Sequence, residues 1–208
     1  MNFSDIYKVQ WFLPKRNGTR TTIEILKKLE FEIKGHSCDT NEVRKGYYTI
    51  LNVRNPYSRV VSLYYLYCYH NQNFEVEFDN FIELINLSQR SNFIFSKTGQ
   101  RLKRNIDFYN IHYDFFIEET LGRSPEKIVK LENFENDLKS IPFLKNHGDL
   151  IDNFVVINGY ENEFSKMTNK KFWKDFYNEN NSIIIYEKLK EQFLKYGYDK
   201  NSWKNVTS

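Results

Sequence analysis

The chain has 208 residues, 40% of them hydrophobic and 17% aromatic, with a formal net charge of +3. That supply of apolar side chains suits one buried domain spanning residues 1–208 and excludes an intrinsically disordered chain. The mild charge fits an anionic ligand held locally and argues against a broad nucleic-acid surface, which needs denser Lys and Arg clustering.

Cys38 and Cys68 form no CxxC and no Cys/His ligand spacing, so neither a disulfide framework nor a metal site is expected. Met1 leads into polar residues without the apolar stretch of a secretion signal, and no apolar run reaches membrane-spanning length. A cytoplasmic location is the expectation.

A first strand is expected over about 7–13, ending at Pro14, followed by Lys15, Arg16, Asn17, Gly18, Thr19, Arg20, Thr21 and Thr22 and a helix over about 20–30. A loop entering a helix presents backbone N–H groups and the positive end of the helix dipole. Gly18 permits a tight backbone, the threonines offer hydroxyl donors or a helix cap, and Lys15 adds a mobile charge. The segment reads as a phosphate cradle, although GxxxxGK[ST] is absent and the lysine precedes the glycine. The bland reading is an ordinary strand-to-helix turn capped by a threonine.

After a loop from Gly35 to Asn41, the β-branched and aromatic run at about 47–54 reads as a buried strand with Arg54 at its carboxyl end. Asn55 and Pro56 break the strand and start a helix over about 57–70, on which Arg59, Ser62 and Tyr65 repeat near one face. A guanidinium fork and a serine hydroxyl there suit a second anion; the bland reading makes Arg59 solvated and Ser62 a packing residue. Further along, a helix is expected at Phe78–Leu87, a core strand at Lys127–Leu131 and a helix at Glu132–Ile141. A last helix is expected to be capped by Asn181 or Ser182 and stopped at Gly197. Strands alternating with helices give an α/β fold: a single domain with a central, mostly parallel sheet flanked by helices. Ligands of such sheets sit outside the carboxyl ends of the strands, where Lys15 and Arg54 both fall.

PKRNGTR and RNPYSRVVSLYY resemble two segments of the sulfotransferases that use 3′-phosphoadenosine 5′-phosphosulfate, namely the loop PKTGGTS or PKTAGTS and the pattern RxPxxRxxSxY. Weaker similarity runs through KIVKLENFENDLKSI and the carboxyl-terminal FYNEN and IIIYEKLKEQFLKYGYD, so the resemblance spans most of the chain. The likeness is to the carbohydrate, Golgi-type branch in a short form without the amino-terminal anchor, and it implies the P-loop-like sulfotransferase fold. It also implies that Lys15 touches the bridging oxygen and 5′-phosphosulfate, with Arg16, Asn17, Gly18, Thr19, Arg20 and Thr21 around the same phosphate. Arg54 and Ser62 resemble the pair that holds the 3′-phosphate. Arg16 and Asn17 stand where the family has small residues and Arg20 where it has serine or threonine, which leaves open whether Arg20 or Thr21 serves that phosphate. The product is adenosine 3′,5′-bisphosphate, and the family needs no metal.

Sulfuryl transfer also needs a base for the acceptor's proton. His36 lies in a GH-containing loop similar to one in glycan 2-O-sulfotransferases that carries the catalytic histidine, and imidazole suits the task near neutral pH. Three other histidines compete (His70, His112 and His147), and Glu24, Glu30 and Glu32 are fallback bases. The basic run Lys97, Arg101, Lys103 and Arg104 lines an acidic-sugar cleft or a solvated face, the latter being the commoner fate. The expected acceptor is a hydroxyl, most often on a carbohydrate, with no nucleic-acid partner. Two alternatives from other classes are a magnesium-dependent phosphotransferase and a non-catalytic anion or nucleic-acid binding module.

Overall fold

A computed structural model describes residues 2–34, 43–71, 75–87, 121–153 and 172–204. In chain order the elements are β1 (Asn2–Ser4), β2 (Val9–Phe12), α1 (Thr19–Lys28), β3 (Tyr48–Val53), α2 (Pro56–Asn71) and α3 (Phe78–Leu87), then β4 (Lys127–Lys130), α4 (Phe134–Lys139), α5 (Gly148–Asp152) and α6 (Glu179–Tyr196). They fall into two compact units, Met1–Arg54 with Tyr113–Gly159, and Asn55–His112 with Tyr160–Ser208. None of the described helices is long and apolar enough to cross a membrane.

The first unit holds the sheet, in the order β1-β2-β3-β4. β2, β3 and β4 are parallel, with Trp11 opposite Ile50 and Leu51 opposite Ile128. β1 returns antiparallel to β2, pairing Asn2 with Trp11. The architecture is thus α/β around a mostly parallel sheet. Alternation along the strands puts Val9, Trp11, Ile50 and Val129 on one face, where they pack with Ile25, Leu26 and Leu29 of α1 and Phe134 and Leu138 of α4. Every position of β2 is buried, so its other face is covered as well, as expected of a parallel strand.

The second unit is helical, with a core of Tyr57, Val60, Leu63 and Tyr64 from α2, Phe81 and Ile82 from α3, and Ile185, Leu189 and Phe193 from α6. Pro56 supplies a preset φ at the start of α2, and Asn55 closes that end by accepting the Tyr57 N–H at its Oδ1, 3.0 Å away. Burial pushes the hydroxyls of Tyr57 and Tyr64 well above the ordinary phenol range and the Cys68 thiol up to about 11.

Two expected elements differ. The helix expected over Glu132–Ile141 is a 3-10 turn, Leu131–Asn133, followed by the shorter α4. Its end is set by Ile141, which is extended (ψ 124) because Pro142 follows and disfavours the helical region for its neighbour. The last helix is capped at Asn178, three or four residues before the expected Asn181 or Ser182. Asn178 accepts the Asn181 N–H at 3.0 Å while Asn181 Oδ1 accepts the Asn178 N–H at 2.9 Å, a reciprocal capping box that adds a first turn. Gly197 stops this helix in the left-handed conformation, as its sequence position predicts.

Candidate functional site

The chain leaves β2 through Leu13 and turns at Pro14, whose carbonyl accepts the Asn17 N–H at 3.2 Å. Two residues of the loop are left-handed, Arg16 at φ 70 and Gly18 at φ 75. Gly18 is the N-cap residue of α1, so no threonine caps this helix. The threonine hydroxyls turn inward instead: Thr19 donates to the Pro14 carbonyl at 3.3 Å and Thr22 to the Gly18 carbonyl at 3.0 Å. A Cβ on Gly18 would lie 2.6 Å from Leu131 Cδ1, so the turn after β4 packs directly on the loop after β2.

Beneath the loop lies a buried polar network that the sequence reading did not single out. Its centre is Asn52 on β3, 1% exposed. Trp11 Nε1 donates to Asn52 Oδ1 at 2.7 Å. Asn52 Nδ2 donates to the Asn17 carbonyl at 3.1 Å and to Thr22 Oγ1 at 2.9 Å. Asn17 Nδ2 returns a bond to the Asn52 carbonyl at 3.0 Å. The signal for it was present: Asn52 has the same strand parity as Ile50, a polar residue on the face that Tyr48 and Ile50 otherwise form.

Arg54 follows β3 at the same end of the sheet, and its Nη1 donates to the Arg16 carbonyl at 3.4 Å. Neighbouring parallel strands thus deliver the Lys15 loop and Arg54 side by side, inside one unit. Lys15, Arg16 and Gly18 are partly exposed, Arg20 is exposed, and Thr19 and Thr21 are buried. Asn17 is fully buried and its Nδ2 and N–H are both committed within the site's own framework.

Arg59 and Ser62 belong to the second unit. Arg59 is 2% exposed, which removes the reading of it as a solvated helix residue, and Ser62 is also buried. Tyr65 is partly buried on the same helix.

Among the candidate bases, His36 and His112 lie outside the described residues, as does the side chain of His70. Lys34, two positions before His36, donates its N–H to Asn2 Oδ1 at 3.1 Å, and Asn2 Nδ2 donates to the Trp11 carbonyl at 3.3 Å, so the chain reaches residue 34 at the carboxyl end of β2. His147 meets the Tyr7 hydroxyl at 3.4 Å, and Tyr7 precedes β2, at the end of the strand opposite to Lys15. Glu24 pairs with Lys27 at 2.7 Å on the exposed side of α1, and Glu30 and Glu32 are exposed. The basic run from Lys97 to Arg104 lies outside the described residues. Trp173 and Trp203 pack against the core of the second unit. No group of three or more His, Cys, Asp or Glu placed to hold a metal occurs among the described residues.

Fold and site together define an α/β protein with a glycine-capped strand-to-helix loop at the carboxyl ends of its parallel strands. No protein-family profile, curated protein or solved structure matches the chain.

Proposed function

We propose that the protein is a sulfotransferase that moves a sulfuryl group from 3′-phosphoadenosine 5′-phosphosulfate to a hydroxyl of a carbohydrate. The observation that carries this reading is the adjacency of the two motif segments: the Lys15 loop and Arg54 leave neighbouring parallel strands at one end of the sheet, with Arg54 Nη1 bonded to the Arg16 carbonyl. That end is where open α/β sheets bind nucleotides, and the start of α1 favours an anion.

In the proposed reaction the acceptor oxygen attacks sulfur in line, and the bond between sulfur and the bridging oxygen breaks as the new S–O bond forms. The leaving adenosine 3′,5′-bisphosphate gains negative charge on its 5′-phosphate, which Lys15 and the N-terminus of α1 stabilise. Arg54 recognises the 3′-phosphate through its guanidinium fork. His36 takes the proton released by the acceptor hydroxyl.

Calorimetry with adenosine 3′,5′-bisphosphate, adenosine 5′-monophosphate and ATP with magnesium tests the reading. The bisphosphate is expected to bind best, and Arg54→Ala to erase about 10- to 100-fold of that preference, the scale of a charge-assisted contact. Preference for ATP with magnesium would overturn the proposal in favour of a phosphotransferase, and absence of nucleotide binding in favour of a non-catalytic module.

A further inference from the structure

The chemistry of the buried network under the loop fixes its direction. An indole N–H is a donor only, so the 2.7 Å contact from Trp11 makes the Asn52 atom facing it the amide oxygen. The Asn52 NH₂ is thereby aimed at the Asn17 carbonyl and Thr22 Oγ1, and the Thr22 hydroxyl proton is left for the Gly18 carbonyl. A backbone carbonyl only accepts, so the Asn17 group facing the Asn52 carbonyl is its NH₂. The consequence is a buried Asn17 Oδ1 that has no hydrogen-bond partner among the described residues. An inward-facing position on a core strand is served for stability alone by an apolar residue, as Ile50 serves the position before it on the same face. Here a polar side chain instead grips the loop at Asn17 directly and at Gly18 through Thr22.

We infer that Asn52 is a positioning residue for the loop that receives the 5′-phosphate, setting the backbone of Asn17 and Gly18 without touching the ligand; this rests on the donor-nucleotide reading above. Because Trp11 and the loop share the same asparagine, its indole N–H reports whether the loop is occupied.

The test uses Asn52→Asp, which keeps an acceptor for Trp11 but loses both donors, and Asn17→Ala, which removes the return bond and serves if the first variant folds poorly. Calorimetry compares adenosine 3′,5′-bisphosphate, adenosine 5′-monophosphate and adenosine 3′-monophosphate on protein shown to be folded by its circular-dichroism melt. Both variants are expected to weaken the two 5′-phosphates by about tenfold, the scale of one or two lost hydrogen bonds, and to leave the 3′-monophosphate unchanged. The Trp11 resonance, one of three tryptophan indole signals in a ¹H–¹⁵N spectrum, is expected to shift on addition of the 5′-phosphates to the wild type and to lose that response in Asn52→Asp. Equal weakening of all three nucleotides would reduce Asn52 to a structural residue and overturn the inference. So would folded variants of undiminished affinity, or a Trp11 signal that ignores a nucleotide bound by calorimetry. A wild-type protein that binds none of the three overturns the donor reading itself, and this inference with it.

Discussion

Arg16 is held at φ 70, a left-handed conformation that costs a non-glycine residue about 1–2 kcal/mol. What the conformation yields is the direction of its carbonyl, which accepts from Arg54. Arg16→Gly relieves that strain and loses some of the gain to the freer unfolded chain, so a net stabilisation of about 0.5–1 kcal/mol is expected. A higher urea midpoint at unchanged slope checks this, and a lower midpoint would mean that the Arg16 side chain contributes more than its backbone costs. Which residues form the loop was legible from PKRNGTR, but what their side chains do was not. The hydroxyls of Thr19 and Thr22 are drawn to the Pro14 and Gly18 carbonyls, and Asn52 enters because the strand register, with Leu51 opposite Phe12, brings it to the end of β2 where the loop begins. Such register is a property of two strands far apart in sequence, and no local pattern encodes it.

Among the elements, the junction of β2 and α1 depends most on one residue. Gly18 combines a left-handed φ with a close approach of Leu131, so Gly18→Ala carries both a conformational and an overpacking cost, together about 2–4 kcal/mol. In the double variant Gly18→Ala with Leu131→Ala the overpacking part should be relieved. A double-mutant cycle from chemical denaturation would then show a favourable coupling, whereas strict additivity would mean that Leu131 yields without cost. Helices α1 and α3 were legible from apolar residues at helical spacing, β3 from its β-branched and aromatic run, and α2 from the Asn55–Pro56 break that starts it. The helix expected over Glu132–Ile141 is present but shorter, because a run of helix-compatible residues says nothing of the extended Ile141 that Pro142 imposes. The early start of α6 was missed because a capping box of two asparagines is a reciprocal contact between side chains and backbone.

Across the whole molecule, titration sets an upper limit to stability. In the helical unit Tyr57 donates to the Lys200 carbonyl at 2.8 Å and Tyr64 to the Val76 carbonyl at 2.6 Å, and burial holds both protons, as well as that of the Cys68 thiol. These groups bind protons more tightly folded than unfolded. Their contribution is therefore complete below the unfolded values and lost as pH rises through the folded ones. For Cys68 that window runs from 9.0 to about 11. The urea midpoint is expected to be lower at about pH 10.5 than at about pH 8, with Cys68→Ala flattening part of the fall; a midpoint constant across that range would contradict the burial of these groups.

The contact of Gly18 with Leu131 also bears on the protein's synthesis. The two residues are 131 − 18 = 113 positions apart in the chain. At about 5–20 residues per second, a ribosome needs on the order of 6–20 s to travel from one to the other. The loop therefore leaves the ribosome first and waits, its glycine uncovered, until the turn after β4 emerges to pack against it. The candidate donor site is thus completed only once Leu131 has been made, and a nascent chain stalled before Leu131 carries the loop without the contact that supports it.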